Sequence, residues 1–293
     1  MSFELGPALL FCPADRPERY AKALERADAV ILDLEDAVAP EAKAAARTAM
    51  IDQPLDAARV IVRVNAPDTA AFADDLAALA ETEYHRVMVA KAEDPEALEA
   101  LAGYEVVALC ETARGVLAAE SLAAHPTVVA LKCGAEDLVA SLGGTSSRTA
   151  DGRYRDVARH ARSRVLLAAG AHGRAAIDSV YLDIAGLEGL MAEAVDAAAS
   201  GFAATACIHP SQVATIREAY APTAAAVAAA QALLAVAANK PGVFAYEGRM
   251  VDGPVLLRGG ADAAAVGATA LVGPAERGGR GPSGRVQLVN RQP

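Results

Sequence analysis

The chain predicts an α/β fold, a (β/α)8 TIM barrel with a C-terminal helical extension, on three observations. Short aliphatic runs alternate with longer segments rich in Ala, Leu, Glu and Arg, the pattern of a parallel sheet with crossover helices. Eight such runs fit between residues 7 and 209, the strand count of a barrel that typically takes ~250 residues. Several runs finish in a charged side chain. Such a group is costly inside an apolar core, but it belongs on the rim that strand C-termini form in these barrels.

The runs are placed at 7–13 (PALLFCP), 28–34 (DAVILDL), 59–65 (RVIVRVN) and 86–92 (RVMVAKA), then at 105–111 (EVVALCE), 127–133 (TVVALKC), 179–184 (SVYLDI) and 205–209 (TACIH). Helices are expected where Asp15 and Pro17 precede RYAKALERA, where Pro40 opens the segment holding Lys43, and where Asp94 and Pro95 precede EALEAL. Each is a good N-terminal signal. GGTSSRTADG (143–152) has loop chemistry throughout and is expected to cover the barrel mouth as a lid.

Beyond His209 and Pro210 come SQVATIREAY, the alanine-rich 223–238 and VFAYEGRMVDGPVL (243–256). This is more than barrel closure needs. Residues 1–220 are therefore read as the barrel and 221–258 as a C-terminal helical extension. The Gly- and Arg-rich stretch in 259–293 is read as a flexible tail.

Composition narrows the function. The 293 residues are 54% hydrophobic, enough for one large core. A net charge of −10, from 27 basic and 37 acidic residues, disfavours a nucleic-acid or anionic-membrane binder. The tail lacks aromatics to stack bases. The apolar run 224–238 falls short of the ~20 residues that span a bilayer. No signal or transit peptide is evident in MSFELGPALLFC, so a cytoplasmic location is expected. Cys12, Cys110, Cys133 and Cys207 fall in or at the ends of strands without CxxC spacing, and read as reduced, buried thiols.

Glu111 and Asp137, at the ends of adjacent strands, can supply two oxygens to a hard divalent cation, and Mg2+ suits a site with one or two carboxylates. The same acids also read as helix caps or arginine partners. Arg63 can clamp a substrate carboxylate with its planar fork or pair with Glu35 or Asp36 across the mouth. Those two acids can also take hydrogen bonds from metal-bound water. Gly134 and Ala135 are small, so their backbone N–H groups can approach an enolate or ligand oxygen. Lys91 offers a Schiff-base amine, but neighbouring acids favour its unreactive ammonium. His209, followed by Pro210, reads as a structural corner.

Together these residues carry a resemblance. The motifs are LFCPADRPERYAKAL, ADAVILDLEDAVAP, VRVNA, VAKAE, ETARGVLAAE, GAEDL, DVARHARSRVLLAA, CIHPSQV and FAYEGRMVDGPVL, in that order. Over residues 7–258 the chain resembles the citrate lyase β-subunit group of the HpcH/HpaI aldolase superfamily, and within it stand-alone CitE-like proteins. The resemblance implies a Mg2+-dependent, reversible carbon–carbon lyase. Its substrate would be a 3-hydroxyacyl-CoA of malyl-CoA, methylmalyl-CoA or citramalyl-CoA type, and its products an acyl-CoA and a 2-oxo acid. It also implies that Glu111 and Asp137 bind the metal and that Arg63 binds the oxo-acid carboxylate. Asp252 would be the acid/base, supplied by a neighbour in a homotrimer, and Arg16, with Arg19 and Lys22, would meet the CoA phosphates. The LKCG run before AED and the tail depart from the family pattern. Two alternatives stand beside this reading: a β-subunit acting on a carrier-bound citryl group within a citrate lyase complex, and a non-catalytic regulator that binds CoA or a metabolite.

Overall fold

Eight parallel strands close in sequence order: β1 (Ala8–Pro13), β2 (Ala29–Asp33), β3 (Val60–Val64), β4 (Arg86–Val89), β5 (Glu105–Cys110), β6 (Val128–Cys133), β7 (Ala175–Asp178) and β8 (Ala204–Cys207). β8 returns to β1 through the pairs Ala8–Thr205, Leu9–Ala206 and Leu10–Cys207. The computed structural model describes residues 4–240 and 242–256. They fall into two compact units that part between Tyr220 and Ala221.

Strand alternation builds two cores. Leu9, Ile31, Ile61, Met88, Val107, Leu109, Ala130 and Ile177 fill the lumen, while Leu10, Val30, Leu32, Val62, Val87 and Ala108 face the helices. Burying an aliphatic side chain of this kind contributes about 1.5–3 kcal/mol. The period of two also selects the rim residues. Phe11, Asp33, Arg63, Glu111 and Lys132 lie two residues beyond lumen-filling Leu9, Ile31, Ile61, Leu109 and Ala130, and so share their face at the C-terminal rim.

The outer layer comprises α1 (Tyr20–Arg26), α2 (Lys43–Asp52), α3 (Ala70–Leu79), α4 (Ala113–Leu117), α5 (Ala119–Ala124), α6 (Ala135–Ser141), α7 (Asp156–Ala171), α8 (Leu187–Ser200) and α9 (Gln212–Tyr220). Pro17 and Pro40 each open a 3-10 turn that leads into α1 and α2. At the third expected helix Asp94 does cap, accepting from the Glu96 N–H at 2.9 Å, but Pro95–Leu101 remains a 3-10 helix throughout. The tighter spiral rises ~2.0 Å per residue against 1.5 Å, so it covers the short return to β5 with fewer residues.

The seventh strand also differs from expectation. SVYLDI has the stronger strand propensity, yet the ladder takes Ala175–Asp178, with Ala175 beside Ala130 and Ile177 beside Lys132. α7 ends at Ala171 and Gly173 turns with φ 62°, so the chain enters the sheet at Ala175. Four residues bring it to the rim, and Ser179–Ile184 runs on beyond it. Register here overrides propensity.

The second unit contains α10 (Ala224–Ala237), capped by Thr223 Oγ1, which accepts from the Ala226 N–H at 3.1 Å. An antiparallel hairpin of β9 (Phe244–Tyr246) and β10 (Arg249–Val251) comes after it, so the extension is not helical alone. Glu247 and Gly248, both at positive φ, make its two-residue turn. Asp252 comes next and its Oδ1 accepts from the Val255 N–H at 3.4 Å. By length and composition Gln212–Ala237 is apolar enough to cross a membrane, but it consists of α9 and α10 with Pro222 between them. The expected tail, 259–293, lies outside the described residues.

Candidate active site

The lumen opens at its C-terminal rim into a cavity of about 360 Å³, lined by Phe11, Asp33, Asp36, Arg63, Glu111, Lys132, Gly134, Ala135 and Asp137 among others. That is at the small end of the ~300–1,000 Å³ of ligand pockets. It suits a small polar molecule.

Arg63 is held from below. Its Nε and Nη2 donate to Asp33 Oδ1 and Oδ2 at 2.7 and 2.6 Å, and its Nη1 lies 3.1 Å from Glu35 Oε2. The arginine-acid pairing that the sequence left open is thus realised with Glu35, and with Asp33, a residue the sequence reading did not select. Three of five N–H groups are spent, which leaves two for a ligand. The β3 end is itself pinned by Asn65, whose side chain donates to the Leu34 carbonyl at 3.0 Å and to buried Asp75 at 2.6 Å.

Glu35 supports the site through cations. Besides Arg63 it takes the Lys91 ammonium on Oε1 and the Asp36 N–H on Oε2, close to the four acceptor positions a carboxylate has. One acceptor position is left, on Oε1, and it can take a hydrogen bond from a metal-bound water. Asp36 keeps its oxygens near solvent, with Lys91 Nζ at 3.4 Å. Burial holds the Glu35 carboxyl above its ordinary value despite both cations. In Lys91 the carboxylates outweigh burial and raise the ammonium's pKa, which favours the charged, unreactive form that the sequence predicts. Its contribution comes from the backbone. At φ 49° Lys91 occupies the left-handed region, at a cost of about 1–3 kcal/mol, and its N–H donates to Glu111 Oε1 at 3.0 Å.

Glu111 is 2% exposed. Burial, and after it the charge of Asp137, push its carboxyl up from 4.5 to about 7. Buried Glu111 beside half-buried Asp137 is a like-charge pair that a hard divalent cation relieves, and Mg2+ takes one or two carboxylates while leaving the other positions to water and ligand. Among the described residues no set of three or more His, Cys, Asp or Glu side chains gathers as a metal cage. The residues present therefore fit Mg2+ at Glu111 and Asp137, and not a structural metal.

Gly134 and Ala135 line the cavity, but their N–H groups are engaged. Gly134 donates to the Cys110 carbonyl at 3.3 Å and Ala135 to Ser179 Oγ at 3.2 Å, so the expected pair of free donors is corrected. Glycine is needed at 134 for another reason: a Cβ there would sit 2.5 Å from Glu111 Cβ and 2.9 Å from its Oε2. Gly134→Ala is expected to displace the Glu111 carboxylate, destabilise the fold by about 1–3 kcal/mol and weaken Mg2+ binding. Calorimetric titration of Mg2+ into the variant checks it, and wild-type affinity would contradict it.

Arg16 lies on the β1–α1 connection, half-exposed, its Nε 3.7 Å from Asp15 Oδ1, and does not line the cavity. The 143–152 loop is tethered. Ser147 Oγ donates to Glu136 Oε1 at 2.6 Å. Arg148 pairs with Glu193 and stacks on Tyr154 and Tyr181 at 4.0 and 4.8 Å. Any lid motion would have to break these. His209 is a corner, its Nδ1 2.8 Å from Ser211 Oγ. Beside it buried Gln212 accepts from the Ile208 and His209 N–H groups. All four cysteines are free and buried.

The model of the HpcH/HpaI aldolase/citrate lyase family matches residues 8–210, most of the chain. The chain belongs to this family. Within the HpcH/HpaI family it is similar to the citrate lyase subunit beta-like protein of Mycobacterium tuberculosis H37Rv, 57% identical over 251 residues that cover 86% of this chain and 92% of that one. It is 33% identical, over 86% of its length and 94% of the relative's, to the L-malyl-CoA/beta-methylmalyl-CoA lyase of Cereibacter sphaeroides. The crystal structure of M. tuberculosis CitE in complex with magnesium, acetoacetate and coenzyme A superposes with a TM-score of 0.87 at 55% identity, covering 89% of this chain and 98% of CitE.

In this member of the HpcH/HpaI family the structure gathers Glu35, Asp36, Arg63, Glu111, Gly134, Ala135 and Asp137 at one strand-end rim and leaves Arg16 outside its cavity. Sequence reasoning missed Asp33, Lys132 and the Lys91 N–H. The first two carry a signal: each lies two residues beyond a lumen-filling one, on the inward parity. Asp178 was missed with the seventh strand, and it is bound by Arg162 at 2.9 Å.

Proposed function

We propose that the chain is a Mg2+-dependent carbon–carbon lyase of the family's CoA-thioester branch. It reversibly cleaves a malyl-CoA- or citramalyl-CoA-type 3-hydroxyacyl-CoA into an acyl-CoA and glyoxylate or pyruvate. The observation that carries the reading is the convergence of Glu111, Asp137 and Arg63 on one cavity. The relatives support it: one is a malyl-CoA/methylmalyl-CoA lyase, and CitE crystals hold magnesium with pyruvate, and magnesium with acetoacetate and coenzyme A.

Glu111 and Asp137 hold Mg2+, whose chemistry when bound is to polarise the oxo-acid carbonyl. The two uncommitted N–H groups of Arg63 orient the carboxylate, with Asp33 and Glu35 fixing the guanidinium so that little side-chain freedom is lost on binding. Asp252, from a neighbouring protomer of a homotrimer, takes and returns the proton at the thioester α-carbon. Arg16 meets the CoA phosphates.

The test is the purified chain with Mg2+ and a panel of malyl-, methylmalyl- and citramalyl-CoA, with both oxo acid and free hydroxy acid measured. Oxo-acid release supports the lyase. Free hydroxy acid instead would place it with the (3S)-malyl-CoA thioesterase of C. sphaeroides, 32% identical over 262 residues. Asp252→Asn is expected to lower kcat by about 10²–10⁴-fold while pyruvate and Mg2+ affinities stay at wild-type values. The similarity to citrate lyase subunit beta-like proteins favours one second reading, a β-subunit working on a carrier-bound citryl group. Cleavage only of the carrier-bound substrate would select it.

A further inference from the structure

Lys132 has no part in the proposed lyase mechanism, and its surroundings are unusual for a lysine. It is 3% exposed in the barrel wall, yet it lines the cavity. Its register partner is Leu109, and Glu111 lies two residues beyond that, just past the end of β5. Its Nζ lies 5.8 Å from the centroid of the Phe11 ring, which also faces the Arg63 guanidinium at 4.9 Å. Among the described residues a single protein acceptor takes its three donors, the Cys133 carbonyl at 3.2 Å. Burial lowers the pKa of this amine, so holding the charge there calls for another anion beside it.

The charges around the floor show when that anion is needed. Asp33 is matched by Arg63 and Glu35 by Lys91, which leaves Lys132 opposite Glu111. A divalent cation at Glu111 and Asp137 satisfies both carboxylates and strands the lysine's charge. Asp36 also lines the cavity but lies against Lys91; among the described residues no carboxylate is paired with Lys132, and two cations flank the same aromatic ring.

We propose that Lys132 is the cation that meets the substrate's carboxylate at the cavity floor, beside Arg63, and that it selects a carboxylate-bearing electrophile over a neutral carbonyl compound. Arg63, bound by two acids, orients; Lys132, with no carboxylate paired to it among the described residues, supplies a second charge. The inference rests on the oxo-acid reading of this cavity and names the residue that sets its ligand class.

The test uses the full-length protein with Mg2+ and calorimetry of pyruvate and of pyruvamide, its neutral counterpart. Wild type should prefer pyruvate, and Lys132→Met should weaken pyruvate binding on the order of ten- to a hundredfold, the range for a lost hydrogen bond to a charged group. Pyruvamide affinity should hold, and Mg2+ affinity should hold or rise because a nearby cation is gone. Lys132→Gln serves as the second variant, with circular dichroism as the folding check. Equal pyruvate affinity in a folded variant overturns this proposal alone, and so does a parallel loss of pyruvate, pyruvamide and Mg2+, the mark of a structural role. Equal wild-type affinity for pyruvate and pyruvamide overturns it without any variant. Borohydride trapping of pyruvate on Lys132 would show an imine-forming amine and overturn it too. Failure of wild type to bind any oxo acid overturns both this proposal and the oxo-acid reading beneath it.

Discussion

Glu111→Gln is expected to lower Mg2+ affinity at least about a hundredfold, beyond the effect of losing an outer partner of a metal, and oxo-acid release by more than about 10³-fold, ~4 kcal/mol of transition-state stabilisation. Glutamine keeps the size of the side chain packed against Gly134, so the fold should survive. The metal-free variant should even gain stability at alkaline pH. In the folded protein burial and Asp137 raise the Glu111 carboxyl from 4.5 to about 7, so the native state holds its proton more tightly than the unfolded chain does. The stability from that proton is complete below 4.5 and is lost as pH rises through about 7, where the loss reaches roughly 3 kcal/mol. Mg2+ offsets this cost, and its binding requires the ionised form. Thermal melts with and without Mg2+ should therefore show a large metal-induced gain near about pH 8 and little near about pH 5. The variant should show neither the alkaline loss nor the metal gain. A Mg2+-induced shift of wild-type size in Glu111→Gln would remove Glu111 from the metal site.

Arg63→Met is expected to destabilise the barrel by about 3–5 kcal/mol, the cost of leaving buried charges without their partner. Asp33 and Glu35 are 1% and 4% exposed, so water cannot take over. Arg63→Lys keeps the charge but not the fork that spans Asp33 and Glu35, and should lose about 1–3 kcal/mol together with most of the pyruvate affinity. Urea unfolding of both variants measures the first effect and calorimetry with Mg2+ and pyruvate the second. Coupling Arg63→Met with Asp33→Asn should recover part of the stability, because the two residues form one hydrogen-bonded unit. Wild-type unfolding midpoints in Arg63→Met would show that the pair contributes nothing. These expectations widen what the sequence alone suggested, where Arg63 figured chiefly as a clamp for the ligand.

The difference between the two residues explains how much of the site could be read in advance. Glu111 and Asp137 stand at the end of one strand and the start of the helix after the next. In a parallel barrel every strand end reaches the same rim, so their placement needs no knowledge of register. The same holds for Arg63, Glu35 and Asp36. Arg63's choice of Asp33 depends on the pairing of Asp33 with Arg63 across β2 and β3, a relation between strands 30 residues apart. The Gly134 and Ala135 N–H groups were read as open because their local sequence is small. Neighbouring strand ends, at Cys110 and Ser179, spend them.

From the chain alone came whatever period and position dictate: the alternation of strand and helix, the count of eight, the rim acids, the buried thiols and the motifs that carry the family resemblance. These are local properties, set by side-chain spacing and turn chemistry within about ten residues of chain. Tertiary structure decided the rest. It moved the seventh strand to Ala175–Asp178, joined Arg63 to Asp33, turned the Lys91 N–H onto Glu111 and put Lys132 beside the cavity floor. Each of these is an energy balance between groups distant in sequence, where burial, register and the pairing of charges outweigh local preference. A buried lysine or aspartate is tolerable only with its partner in reach, and that partner becomes known when the barrel closes.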